Sequence, residues 1–220
     1  IEGDNNHIYS ELGFYNTAIG QAELLQRSVL TNEGKQLTGD SLFYDRNLSF
    51  GEAFYDVIFT DTVNKNMLTG NYCHYNELTK YAVATDSAVA VDYSQGDSLF
   101  LHGDTLQLFT FFLDTDSMYR ETRAYHKVRF FRTDVQGVCD SLVFSTKDSC
   151  LTMYRDPILW NGNQQLLGEE VMVYMNDSTI DWAHIQNQAL SVEKLDSVNY
   201  NQVTGKDMKA YFTNGEMHRV

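Results

Sequence analysis

"LTNEGKQLTGDSLFYDRNLSFGEAFYDVIFTD", residues 30–61, holds the pattern that decides the fold. An aliphatic residue, Leu37, precedes Gly39 by two positions. After the glycine, apolar residues alternate with polar ones at Leu42 and Tyr44, the period of a strand with one buried face. "DRN" at 45–47 then supplies turn-forming residues, and a second anchor, Ala53, follows Tyr44 by nine positions.

The same pattern recurs along the chain. Glycines 39, 70, 103, 137, 168 and 205 each follow an aliphatic residue by two: Leu37, Leu68, Leu101, Val135, Leu166 and Val203. Apolar pairs come three and five positions after the glycine, forming two predicted stripes. The first is Leu42, Cys73, Leu106, Leu142, Val171 and Met208; the second is Tyr44, Tyr75, Leu108, Phe144, Val173 and Ala210. The fourth copy is longer by two residues, which keeps the same face inward because side chains alternate with period two. Second anchors are Ala53, Ala84, Met153 and Ala183, nine residues after Tyr44, Tyr75, Phe144 and Tyr174. Tyr9 and Ala18 share that spacing and predict a partial copy before the first tagged glycine. "TKDS" (146–149), "MNDS" (175–178) and "TNGE" (213–216) are further turn signals. Each repeat therefore reads as a strand, a hairpin turn, a second strand and a looser return to the next glycine. "AELLQRSVL" (22–30), the best helix candidate, is claimed by the repeat frame as strand. A third copy made irregular by "FTFFLDTDSMYRETRAYHKV" and a last copy that stops half-way point to a piece cut from a longer array. Residues 1–220 are read as a single all-β domain, a repeat-built antiparallel β-stack.

Composition agrees. There are 14 Tyr and 13 Phe against one Pro, the balance of strands rather than helices. With 16 Lys and Arg against 30 Asp and Glu, the net charge of -14 argues against nucleic acid. No run of apolar residues is long enough for a membrane helix; no signal peptide is visible, and the abrupt opening "IEGDNNHIYS" leaves room for a removed upstream segment. Cys73, Cys139 and Cys150 form no metal-binding spacing, and the six scattered histidines add none. Cys139 and Cys150 are read either as a pair across a hairpin or, the better reading, as small buried hydrophobes. No cofactor is expected.

Gly-Asp-Ser-Leu at 39–42, with a second copy in "QGDSLFLH" at 95–102, is also the signature of a family of serine esterases. "DWAH" at 181–184 completes a nominal triad of Ser41, Asp181 and His184. The context argues against it. A nucleophile elbow follows a buried strand and opens a helix, whereas "NEGKQLT" is polar and an alternating strand follows. Near-copies at "GDTL" (103–106) and "GVCDSL" (137–142) make the motif a structural device, and no enzyme is expected.

The units "LTNEGKQLTGDSLFYDRNLSFGEAFYDVIFTD" and "LDSVNYNQVTGKDMKAYFTNGEMHRV" resemble the OstA-like family, the LptA-type lipopolysaccharide-transport proteins and the N-terminal periplasmic domain of LptD. The likeness covers nearly all of residues 7–220 and is strongest to the long OstA-like proteins of Bacteroidetes-type bacteria. It implies a semi-closed, V-shaped β-jelly roll in the periplasm or associated with the outer membrane. The apolar groove of such a fold shields lipopolysaccharide or other acyl chains. It also implies edge-strand, head-to-tail pairing with other β-stack proteins. The two stripes, Ala210 aside, are then the candidate lipid-groove residues. The competing reading is a structural or adhesive repeat that carries nothing.

Overall fold

The computed structural model describes residues 6–32, 34–94, 96–176 and 179–220. Every element among them is a strand, and every pairing is antiparallel. The chain divides into two compact units, 1–118 and 119–220.

Unit 1 contains β1 (Asn6–Tyr9), β2 (Leu12–Asn16), β3 (Gln21–Asn32), β4 (Lys35–Asp45), β5 (Phe50–Asp61), β6 (Asn66–Asn76), β7 (Tyr81–Asp92) and β8 (Leu99–Phe111). From β3 onward each strand pairs with the next. β1 and β2 both pair with β3. "AELLQRSVL" is strand, as the frame required. The return to the next glycine is a second tight turn rather than a loose stretch. Asp61 begins it by accepting from the Val63 and Asn64 N–H groups at 3.0 and 2.9 Å. At the opposite end Asp45 caps the "DRN" turn through the Asn47 and Leu48 N–H groups. Short acidic side chains that bond the backbone two and three residues on stabilise such turns.

Unit 2 contains β9 (Tyr119–Phe131), β10 (Val135–Ser145), β11 (Cys150–Tyr154), β12 (Ile158–Asn161), β13 (Gln164–Leu167), β14 (Glu170–Asn176), β15 (Thr179–Lys194), β16 (Tyr200–Thr213) and β17 (Glu216–Arg219). β10 pairs with β9 along its length, then with β12 over its first half and β11 over its second. β15 likewise pairs with β14 and β13, so the rungs are divided here into two arms. Turns form at "TKDS" and "TNGE"; part of "MNDS", 177 and 178, lies outside the described residues.

The division has a common cause. In the middle of β5, Tyr55 and Asp56 both have positive φ (60° and 44°); so do Asp86 and Ser87 in β7, His126 and Lys127 in β9, and Asn187 and Gln188 in β15. Each pair opposes one residue of its neighbour and shifts the register, bending the strand as a bulge does. The tagged glycine sits beside this corner. Gly70 pairs with Val57, and a Cβ on it would lie 2.9 Å from the Thr85 carbonyl oxygen. The acidic or amide residue after the glycine serves the corner too. Asp40 accepts from Arg27 Nη1 at 3.0 Å, and the same nitrogen donates to the Asp56 carbonyl at 3.0 Å. Asn71 Oδ1 accepts from the Asp56 N–H. Asp140, which follows Cys139, accepts from Arg155 and lies 3.2 Å from His126 Nδ1.

Gly-Asp-Ser-Leu at 39–42 is thus a corner glycine, a corner acceptor, a ladder residue and an inward leucine. Its copy at 96–99 is a turn entering β8, with Gly96 at φ 88°. The fourth copy needs a correction. Cys139, paired with Val128, holds the corner place that Gly39 holds against Ser28. Gly137 lies two residues earlier because a Cβ there would run into the Phe130 ring. The partial first copy is also corrected. Ala18 is exposed in a turn and Tyr9 is exposed on β1, while Ala22 and Leu24 take the inward places.

Within unit 1 the two arms share a core. Leu24, Leu42 and Ala53 lie on one side of the corners and Val57 on the other, and all four form one buried cluster. Ile8, Leu30, Leu37 and Cys73 pack against it. Each fully buried aliphatic side chain contributes about 1.5–3 kcal/mol.

Acid should weaken the turn that Asp61 caps. Burial works against its ionised form, but the backbone and side-chain donors of Asn64 and the Val63 N–H outweigh it, holding its pKa below the ordinary 3.8. A carboxyl depressed in the folded state stabilises above its unfolded pKa, and that contribution is lost as pH falls through the folded value. The melting temperature is therefore expected to drop below about pH 4, and to drop less in Asp61→Asn. Identical acid limbs in thermal melts of the two proteins would contradict this.

Candidate functional site

Within each unit the ladders place the residues of the two predicted stripes in continuous rows on one face. In unit 1 the first row runs Leu24, Leu42, Ala53, Cys73, Ala84, Leu106, each paired directly with the next. The second runs Ala22, Tyr44, Gly51, Tyr75, Ala82, Leu108. In unit 2 the first row is Ala124, Leu142, Met153, Val171, Ile185, Met208 and the second is Thr122, Phe144, Leu151, Val173, Ala183, Ala210. Directly opposite residues of a ladder point to the same face, so each row is one surface. Ala183 joins the second row, opposite Val173, rather than the row that holds Ala53 and Met153. One extra residue in the turn region of β15 causes this, marked by a register shift after Tyr174.

The aliphatic residues before the glycines build the other arm. Ile8, Leu30, Leu37, Phe59, Leu68, Ala90 and Leu101 are paired in one line in unit 1. Phe130, Gly137, Leu159, Leu166, Ser191 and Val203 form the corresponding line in unit 2, which omits Val135.

The two units differ in how far these rows are closed. In unit 2, Leu142, Val171 and Val173 are 2%, 0% and 2% exposed and Met208 is buried, while Phe144 and Leu151 are half-buried. In unit 1, Leu42 and Leu106 are buried, but Tyr44, Cys73 and Leu108 are half-buried and Tyr75 is 43% exposed. The reason lies in the second row of unit 1. Gly51 and Ala82 flank Tyr75 with almost no side chain, leaving the ring uncovered. These small residues carry no apolar signal and are invisible to a search for hydrophobic stripes. Burial pushes the Cys73 thiol up to about 12 and raises the Tyr44 phenol, so both are neutral at ordinary pH. The accessible part of the unit 1 interior is therefore uncharged, apolar and aromatic-rimmed.

Many rings lie on the opposite face. Phe43, Phe50, His74, Tyr81 and Phe109 form a chain of ring contacts 5.0–6.1 Å apart. Cross-strand aromatic pairs of this kind stabilise the sheet itself. Cys139 and Cys150 are buried free thiols, in line with the second of the two readings offered for them.

The residues of the nominal esterase triad belong to different units. Ser41 is a ladder residue of β4 between Leu25 and Phe54. Asp181 is the exposed residue at the β15 irregularity, and His184 Nδ1 lies 3.4 Å from Gln186 Nε2. Among the described residues no group of three His, Cys, Asp or Glu is arranged to hold a metal ion.

Residues 1–92 match the family described as OstA-like protein, which bears out the resemblance read in the unit at 30–61. Among solved structures the chain is similar to LptH from Pseudomonas aeruginosa, the LptA-homologous periplasmic component of the conserved lipopolysaccharide transport device. That similarity is 15% identity with a TM-score of 0.44, over 55% of this chain and 82% of that one. No curated protein matches.

Proposed function

We propose, taking the OstA-like match of residues 1–92 as premise, that this chain is a non-catalytic module of lipopolysaccharide transport that shields acyl chains in the periplasm. The observation that carries the reading is the unit 1 interior: two continuous apolar rows, one opened beside Tyr75 by Gly51 and Ala82. An acyl chain laid along such rows gains about 0.8 kcal/mol per buried CH₂. That gain outweighs repulsion between an acidic protein and a phosphorylated head group, which salt and divalent cations screen. Leu142, Met153, Val171 and Ile185 of the first row of unit 2 are at most 2% exposed, which favours a second reading for that unit, a scaffold that carries nothing.

Edge-strand pairing, head to tail, with another Lpt-type β-stack protein or a second copy of this chain belongs to the same proposal. β1 and β2 are short strands at one end, with Tyr9 63% and Phe14 60% exposed. Such edges recruit strands, and heterologous pairing that does not close gives open filaments.

Native mass spectrometry of protein purified without detergent tests the lipid reading. We expect co-purified acyl lipid in the wild type and at least tenfold less in Tyr75→Asp, with unchanged loading in Ser41→Ala and His184→Ala. Delipidated mass alone, in wild type as in Tyr75→Asp, would leave the scaffold reading. Hydrolysis of a short-chain aryl ester abolished by Ser41→Ala would overturn the non-catalytic one.

A further inference from the structure

Three described hairpin turns of unit 1 share one form and one edge: residues 17–20 between β2 and β3, 46–49 between β4 and β5, and 77–80 between β6 and β7. Each ends on a residue with positive φ, Gly20 at 69°, Ser49 at 52° and Lys80 at 52°. Each is capped from the residue before it: Asn16, Asp45 and Asn76 accept from backbone N–H groups inside the turn at 2.9–3.1 Å. The turns are also tied to one another. The Arg46 N–H donates to the Gly20 carbonyl at 2.9 Å, and the Glu77 N–H donates to the Ser49 carbonyl at 2.8 Å. Asn47 Nδ2 donates to the Ile19 carbonyl at 2.7 Å. The backbone thus fixes the edge without help from the side chains at the tips.

Those tips are apolar and in the open. Ile19, Leu48 and Leu78 are 46%, 58% and 66% exposed, and Phe112, on the connection after β8, is 64% exposed. No turn of this form needs such residues. Unit 2 has the same turn at 146–149, closed by Ser149 at φ 51°, and fills its tip with Lys147 and Asp148. On the opposite edge of unit 1, Val63 is the one exposed large hydrophobic among the described turn residues. Apolar tips therefore gather on one edge of the unit whose second row is open. Tyr44 pairs with Gly51 and Tyr75 with Ala82, each in the second rung from the turn that carries Leu48 or Leu78. The tips lead directly into the opening beside Tyr75.

We propose that this edge of unit 1 touches a lipid bilayer: Ile19, Leu48 and Leu78 enter the head-group layer and bring the opening beside Tyr75 against the acyl chains. The inference rests on the acyl-shielding reading of unit 1 and adds the side on which a chain enters. A bilayer suits these tips better than a protein partner does. Successive turns stand two strands apart, about 10 Å. Exposed polar residues, Arg46, Asn47, Glu77 and Thr79, separate the apolar side chains. A protein interface has a contiguous apolar centre with polar groups at its rim. Single apolar anchors set among polar neighbours match the boundary between head groups and acyl chains, where each kind of group finds its own surroundings. Glu77, Asp114 and Asp116 offset the cations Arg46 and Lys80 on this edge, so the contact is apolar rather than electrostatic and takes zwitterionic lipid.

Flotation of the full chain with vesicles of phosphatidylcholine and phosphatidylethanolamine, free of lipopolysaccharide, tests the contact. The wild type should float with the vesicles, and the double variant Leu48→Ser, Leu78→Ser should need roughly tenfold more lipid for the same bound fraction. Both positions are exposed, so thermal melts of this variant and the wild type should coincide. Val63→Ser, on the opposite edge, should bind as the wild type does. A wild type that stays with the soluble fraction overturns the membrane edge. So does equal binding by the wild type and the double variant, or a loss in Val63→Ser as large as in the double variant. Acyl shielding is read separately, from the lipid that co-purifies with the wild type and with Tyr75→Asp. Vesicle binding that depends on Leu48 and Leu78 in a protein that co-purifies no lipid would support the contact and overturn its role in chain entry.

Discussion

Val173→Asp is expected to lower stability by about 3–5 kcal/mol, whereas Met172→Asp should cost under about 1 kcal/mol. Val173 is 2% exposed and sits in the second row of unit 2 between Leu151 and Ala183. A carboxylate there meets only apolar neighbours in its row, so it is buried unpaired or forced to take up a proton. Met172, one residue away, points to the opposite face between Thr152 and His184, where it is half-buried and a charged group reaches water. In thermal melts the first variant should fall by roughly 10 °C or more and the second by a few degrees. The reverse order would mean that the register is off by one, and both rows of unit 2 would then face outward.

The second large effect is at a corner. Gly168 lies between β13 and β14, where a Cβ would stand 2.5 Å from Ile185 Cγ2 and 3.0 Å from the Gln186 carbonyl oxygen. Ile185 is fully buried and the oxygen is backbone, so neither yields easily. Gly168→Ala is expected to cost about 1–3 kcal/mol, the range for overpacking a core. Gly51→Ala is the contrasting case. Its Cβ would find only ordinary contacts, 3.5 Å to the Phe43 carbonyl oxygen and 3.7 Å to Tyr44 Cδ2. Losing a flexible glycine from the unfolded chain makes that change neutral or stabilising by up to about 1 kcal/mol. It also narrows the opening beside Tyr75, so lipid loading should fall while stability holds. Denaturant unfolding of the two variants with lipid mass spectrometry of Gly51→Ala checks both halves. Equal stability losses would show that the tagged glycines are not close-approach positions.

The inward rows were legible because their signal is local. Leu42 and Tyr44, or Val171 and Val173, declare their face by period two, and ladder pairing carries the same face from rung to rung. The signal failed where a residue served a neighbour instead of its own strand. Gly137 resembles a corner glycine but is small for the Phe130 ring, so the fourth copy appears two residues too long. Tyr9 and Ala18 match a spacing by accident, since the turn at 17–20 displaces the inward places to Ala22 and Leu24.

By itself the sequence determined that the chain is all-β, that its hairpins are antiparallel and that pairs such as Leu42 and Tyr44 or Val171 and Val173 share one face. Alternation, Asn and Asp turns and repeated glycines are properties of a few neighbouring residues, and any chain with them is driven the same way. The tertiary structure alone decided where the strands bend and which rows stay open. Tyr55 and Lys127 are not residue types that seek positive φ, and isolated strands would not adopt it. They are held there by the stacked rungs, through contacts such as Arg27 with Asp40 and the Asp56 carbonyl. Openness beside Tyr75 depends on Gly51 and Ala82 arriving from two other strands, a coincidence in space that no local pattern encodes.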